Sequence, residues 1–212
     1  MKNKKGIVVA VSQAKGGACK TTTAINLVGS LNEIGYKSIV VDIDINKPDA
    51  SVWASVSSSI DFVTKIKIDD ILDETLRMKE EYDYIVFDCP PNYLEAGLKG
   101  IMLSDFVILP ASPAFQDQSN LKKAIDSVKI AGKPYKILAS RIKKNTTLGN
   151  SAYQDIQDTG HGFETCITNR TVMEECGYSG EWIGTYDKNG DNHKQFIELA
   201  KEVVAFVGEK EA

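Results

Sequence analysis

Short apolar runs rich in β-branched residues alternate along this chain with longer stretches of helical periodicity. Runs at 6–12, 38–42, 84–88, 106–110 and 135–140, with a weaker one at 163–167, read as strands. The segments between them, at 21–34, 68–81, 93–103, 119–131, 147–159 and 192–207, read as helices, and Gly35 and Gly132 stand where two of these should stop. Strand and helix in strict alternation predict an α/β fold with one doubly wound, mostly parallel sheet flanked by helices. No internal repeat or low-complexity linker interrupts the pattern, so residues 1–212 are read as a single domain.

Composition narrows the function classes. Among 212 residues, 42% are hydrophobic and 25% charged, which suits a globular chain with a substantial core. No apolar stretch reaches the roughly 18 residues of a membrane span, and residues 1–5 lead into a strand without a cleavage signal, so a cytoplasmic protein is expected. Cys19, Cys89, Cys166 and Cys176 lack C-x-x-C spacing, and His161 and His193 stand apart, which argues for reduced thiols and against a zinc site. A net charge of −4 offers no global attraction to nucleic acid, so any such contact must come from local basic patches.

The chemistry concentrates after the first strand, where Ser12-Gln13-Ala14-Lys15-Gly16-Gly17-Ala18-Cys19-Lys20-Thr21-Thr22-Thr23 leads into a helix. Paired glycines let the main chain turn and aim amide donors inward, while Lys20 and the Thr21 hydroxyl can reach phosphate and Mg²⁺ at the helix N-terminus. Two later strands end in acids, Val41-Asp42-Ile43-Asp44 and Phe87-Asp88-Cys89-Pro90-Pro91. A buried strand that delivers a carboxylate to its tip suits a metal or water site, and hydrolysis of a phosphoanhydride needs charge relief on the β and γ phosphates with an oriented water. Such sheets bind ligands beyond the carboxyl ends of their strands, where the loop, Asp44, Asp88 and the segment from Pro110 all fall.

The loop resembles the deviant Walker A box, K-G-G-x-G-K-[ST]-[ST], of the ParA/MinD family of P-loop ATPases, with Lys15 as its additional lysine; Cys19 stands where the pattern has glycine. A positive φ there would cost a side-chain-bearing residue about 1–3 kcal/mol. The two acid-tipped strands are similar to the family's D-x-D and D-x-P-P boxes, although Ile45-Asn46-Lys47-Pro48 replaces the usual P-Q after Asp44. The resemblance implies that ATP is held by Lys15, Gly16, Gly17, Ala18, Cys19, Lys20, Thr21 and Thr22, with Asp42 in support. It further implies that Asp44 orients or deprotonates water, that Thr21 and, through water, Asp88 hold Mg²⁺, and that Pro110, Pro113 and Arg141 flank the nucleotide. Lys15 would reach the partner's nucleotide in an ATP-bound sandwich homodimer.

By the same likeness, closest to small plasmid-partition ParA proteins, the dimer is expected to bind DNA nonspecifically on the nucleoid and to be released when hydrolysis is stimulated by a small ParB-like or centromere-binding adaptor. Lys122, Lys123, Arg141, Lys143, Lys144 and Arg170 are the basic candidates. Three alternatives stay open at this point. Cys19 could make the chain an ATP-binding dimerisation switch with little hydrolysis. A MinD-like membrane cycle would want a basic amphipathic tail, where 206–212 is acidic and read as broken at Gly208; no membrane partner is expected. A cofactor-related ATPase with a cluster would want paired cysteines. Cys19, beside Lys20 at a helix N-terminus, is also a candidate for oxidation.

Overall fold

The computed structural model describes residues 6–91, 95–113 and 115–211. Its elements follow in the order β1 (Ile7–Val11), α1 (Lys20–Glu33), β2 (Ser38–Asp42), α2 (Asp49–Val56), β3 (Val63–Lys65), α3 (Ile71–Glu81), β4 (Tyr84–Asp88), α4 (Glu95–Leu103), β5 (Phe106–Ala111), α5 (Phe115–Ile130), β6 (Tyr135–Ala139), α6 (Thr147–Asp158), α7 (Val172–Ser179), α8 (Ile183–Tyr186) and α9 (Asp191–Glu211). The strands form one parallel sheet in the order β3-β2-β4-β1-β5-β6. The predicted α/β class and the helix-flanked parallel sheet are therefore correct.

Strands buried on both faces read as continuous apolar runs, and their side chains alternate between two cores. Val9, Val11, Val40 and Val86 pack with α1, α8 and α9 on one side, whereas Val8, Ala10, Val41, Ile85 and Phe87 pack with Ile71 of α3, Ile101 of α4 and Ala124 of α5 on the other. Helix α1 is wrapped nearly all round, because Trp182 and α9 cover the side turned away from the sheet. Asn26 stabilises that contact by accepting the Ile183 N–H at 2.7 Å and donating to the Thr22 carbonyl at 2.8 Å. Gly35, at φ 100, ends α1 in a Schellman arrangement, with its own N–H on the Asn32 carbonyl and that of Tyr36 on Leu31.

The structure corrects several elements. Segment 163–167 is not a strand: it follows the edge of β6 through isolated bridges only, because the N–H groups of Glu164 and Thr165 turn away to the Glu202 carboxylate of α9 at 2.8 and 2.7 Å. Strand β3 is an additional edge strand of three residues, with no fully buried position, too short for an apolar run to reveal it. Helices α2, α7 and α8 are additional as well. Gly208 does not break the tail, since α9 runs through it to Glu211. The predicted start of a helix at Tyr93 lies outside the described residues.

Candidate functional site

Register brings the acids together. β4 lies between β2 and β1, so Asp88 is the cross-strand partner of Asp42 on one side and of Val11 on the other, directly below the loop that leaves β1. That loop is anchored at its base by the Ser12 N–H on the Ile108 carbonyl at 3.0 Å. Gln13 extends the anchor, its Nε2 donating to the Pro110 carbonyl at 3.1 Å and its Oε1 accepting the Ala14 N–H. Gly17 at φ 75 and Cys19 at φ 62, ψ 20 supply the left-handed turns that fold the loop over the start of α1. The positive φ anticipated at Cys19 is thus present.

Lys20 is buried at the head of α1, with Nζ donating to the Lys15 carbonyl at 3.1 Å. Burial lowers its pKa from the usual lysine value, and the nearby Asp88 opposes that shift. The Thr21 hydroxyl donates to Asp88 Oδ2 at 2.7 Å, while Asp88 Oδ1 is buried with no hydrogen-bond partner. Desolvation pushes the Asp88 carboxyl up to about 7, with the Thr21 hydrogen bond pulling the other way. An orphaned buried oxygen beside a hydroxyl is a donor set that fits a hard divalent cation such as Mg²⁺ or one of its waters.

Asp42 is fully buried and clamped, with Oδ2 accepting both the N–H and the hydroxyl of Ser51 at 2.9 and 2.8 Å and Oδ1 accepting the Asp44 N–H at 3.1 Å. Burial raises its pKa, and the Ser51 bonds oppose the rise. Asp44 is half-buried, and its Oδ1 accepts the Lys47 N–H at 3.0 Å.

A cleft of about 400 Å³ opens over these groups, lined by Gly16 through Thr22, Asp44, Asp88, Trp53, Arg141 and others. Of the residues expected at a nucleotide, it gathers Gly16, Gly17, Ala18, Cys19, Lys20, Thr21, Thr22, Asp44, Asp88 and Arg141. Lys15 is half-exposed and is not among the residues that line the cleft, and Asp42 lies beneath the floor. Pro110 and Pro113 are not brought there, contrary to expectation. Pro110 is buried within β5, and Pro113 lines a separate cavity between α5 and α6.

A second cavity of about 220 Å³ adjoins the cleft through Cys19, Thr22, Trp53, Arg141 and Gly177, and is completed by Thr168, Asn169, Arg170 and Met173. Thr168 is fixed by α9, its N–H on Gln195 Oε1 at 2.9 Å and its carbonyl accepting Asn192 Nδ2 at 3.0 Å. Trp53 is set by its Nε1 donating to the Glu181 carbonyl at 3.0 Å and by packing on Gly177. Ser51 and Met173 carried no signal in the sequence. Trp53, which follows the D-x-D box, and Thr168, within 166–170, fall in stretches similar to the ParA family, but that likeness implied no nucleotide contact for them.

Of the basic candidates, Lys122, Lys123, Arg141, Lys143 and Lys144 are exposed, and Arg170 is ion-paired with Asp191. Cys89 and Cys176 lie in cores on opposite sides of the sheet, so they form no ligand pair; burial pushes the Cys176 thiol up to about 12 and raises those of Cys89 and Cys166. Among the described residues no helix is long and apolar enough to cross a membrane.

A parallel sheet whose first strand feeds a phosphate loop, with acids at the tips of two neighbouring strands, defines a P-loop NTPase fold. The AAA domain family matches residues 6–54 and 50–138, and the chain belongs to that family, within the ParA/MinD superfamily of P-loop ATPases. It is 23% identical to the sporulation initiation inhibitor protein Soj of Bacillus subtilis, over 94% of this chain and 99% of Soj. It is 33% identical to the maintenance of carboxysome distribution protein A of Gloeobacter kilaueensis, over 84% of this chain and 85% of that protein. The fold superposes on the septum site-determining protein MinD of Pyrococcus horikoshii, solved with Mg-ADP, with a TM-score of 0.78 at 21% identity, covering 97% of this chain and 98% of MinD.

Proposed function

We propose that this chain is a Mg²⁺-dependent ATPase of ParA type, which forms an ATP-bound sandwich dimer, binds DNA nonspecifically in that state and lets go after hydrolysis. The observation that carries the reading is the Thr21–Asp88 pair beneath the glycine loop, both lining the cleft, with the second Asp88 oxygen buried and unsatisfied. Relatives whose names speak of sporulation control and carboxysome distribution favour a positioning role.

Thr21 and Asp88, the latter through water, would hold Mg²⁺, which supplies charge neutralisation at the β and γ phosphates when bound. The loop amides from Gly16 to Thr22 and the Lys20 ammonium bind and orient the phosphates. Asp44, at the cleft margin and not buried like Asp42, is placed to accept a proton from an attacking water. The ribose and base belong in the cavity between Arg141 and 168–173, stacked near Trp53. Lys15 serves the second subunit's nucleotide, and Lys143 and Lys144, just past the end of β6, meet DNA phosphates. An adaptor of ParB type and a nucleoid location complete the reading.

The test measures dimer formation and DNA binding with and without ATP and Mg²⁺. Lys15→Ala should abolish the dimer, and Asp44→Ala should leave a long-lived dimer on DNA with turnover down at least about a hundredfold. An Asp44→Ala protein that still hydrolyses at the wild-type rate overturns the assignment.

A second reading is favoured by one observation, the left-handed backbone at Cys19. On that reading ATP is bound and the chain dimerises, but hydrolysis is slow because the loop is strained at its catalytic turn.

A further inference from the structure

Helix α3 carries a surface with no part in the nucleotide site. Residues 69–81 hold six acids, Asp69, Asp70, Asp73, Glu74, Glu80 and Glu81, against Arg77 and Lys79, a local excess of four that equals the net charge of the whole chain. Lys65 and Lys67 bound the run upstream. Both bases within it are already engaged, Arg77 with Glu74 at 2.8 Å and Lys79 with Asp105 at 3.0 Å; the other five acids form no ion pair among the described residues. Two leucines stand exposed in this acidic field, Leu72 at 52% and Leu76 at 55%.

Leu72, Leu76 and Lys79 share one strip of the helix at spacings of four and three. Asp105, the partner of Lys79, lies two residues past the end of α4, so the strip faces α4. At the other end of the strip, beyond Ile68 in the turn before α3, a cavity of about 220 Å³ is lined by Ile45, Ile68, Pro90 and Ala96, with Asp44 and Glu95 among its polar members. The result is an exposed apolar row on α3 with an acidic margin. The cavity beyond its N-terminal end shares Asp44 with the phosphate cleft.

We infer that this face of α3 is the docking surface for a basic amphipathic helix of a partner protein, with apolar side chains at four-residue spacing on Leu72 and Leu76 and flanking lysines or arginines on the acids of 69–81. Charge complementarity selects that occupant. DNA and anionic lipid are repelled by this face, and a second copy would set the same excess charge against itself. An apolar anchor row with a charged rim is the usual geometry for a helix laid in a groove. The inference does not depend on nucleotide hydrolysis.

The probe is a fluorescein-labelled synthetic peptide of leucine and lysine patterned as an amphipathic helix, titrated with the full chain and read by anisotropy. A scrambled peptide of equal composition serves as control. Saturable binding of the patterned peptide, at least about tenfold tighter than the scrambled one and weakening as salt rises, is expected. Leu72→Ser with Leu76→Ser should lower that affinity at least about tenfold, and Asp69→Asn with Asp70→Asn and Asp73→Asn should lower it and flatten the salt dependence. Ile130→Ser, at an 88% exposed position on α5, should leave it unchanged. These sites are on the surface, so unchanged melting temperatures will show that the variants fold. Equal binding of patterned and scrambled peptides, no binding, or a leucine variant that binds like wild type overturns the inference.

Discussion

Just before the phosphate-loop lysine the backbone turns left-handed with a cysteine side chain on it, at φ 62 and ψ 20. Holding a non-glycine residue there costs about 1–2 kcal/mol, but a glycine adds about 0.5–1 kcal/mol of freedom to the unfolded chain, so the exchange leaves a net gain of only about 0.5–1 kcal/mol. Cys19→Gly is therefore expected to move the melting temperature little and to raise ATP turnover severalfold in a steady-state phosphate-release assay; unchanged turnover would remove strain as the explanation for slow hydrolysis. Asp88 supplies a pH-dependent counterpart. Its carboxyl is raised from 3.8 to about 7 by burial, so the folded chain keeps a proton that the unfolded chain has lost. The stability this contributes is fully present below about pH 4 and is lost as pH rises through about 7. Asp88→Asn should accordingly melt higher than wild type at pH 8 without nucleotide or Mg²⁺, by about 2 kcal/mol or roughly 4–8 °C, with the gap closing toward pH 5. A variant that melts lower at pH 8 would contradict the buried-charge account, and the same variant should lose Mg²⁺-dependent ATP affinity.

At the scale of elements, α1 shows why position outweighs propensity. Gly29 lies in its middle, where alanine ordinarily gains about 1 kcal/mol. A Cβ at that site would meet the Trp182 ring at 2.5 Å, because the indole that covers α1 needs the bare backbone to approach. Gly29→Ala should therefore destabilise by about 1–3 kcal/mol, lowering the melting temperature by several degrees in calorimetry. Stabilisation would mean that Trp182 shifts freely. Five of the six strands were legible because strands buried on both faces are unbroken apolar runs. Strand β3 at the edge has no such run, and 163–167, a weaker run interrupted by Glu164 and Thr165, reads as a strand although those two amides bond to Glu202. Periodicity reports burial, and burial is not the same as a ladder.

At the scale of the whole molecule, net charge and local charge diverge. The chain is acidic, yet Arg141, Lys143 and Lys144 gather at the carboxyl end of β6, while an excess of negative charge sits on 69–81, the turn before α3 and the helix itself. DNA affinity that arises from such a patch, doubled in a dimer, should fall steeply with salt. For about six phosphates neutralised, the slope of log K against log salt is about −5, measured by anisotropy on nonspecific duplex with ATP present. A salt-independent affinity would point to contacts other than phosphate.

The loop from Lys15 to Thr22 and the acids Asp42, Asp44 and Asp88 were readable from the chain alone, because a phosphate cradle is built from consecutive backbone amides and each acid ends its own apolar strand. Which acids meet was decided by strand order: only with β4 between β2 and β1 does Asp88 stand beside both Asp42 and the loop. The neighbouring cavity is tertiary altogether. Trp53, Arg141 and 168–173 come from distant segments held by Glu181, Gln195 and Asn192, and spacing along a chain carries no record of bonds made across 24 to 128 residues. Local sequence set the parts that contact a phosphate chain; packing alone determined the walls around it.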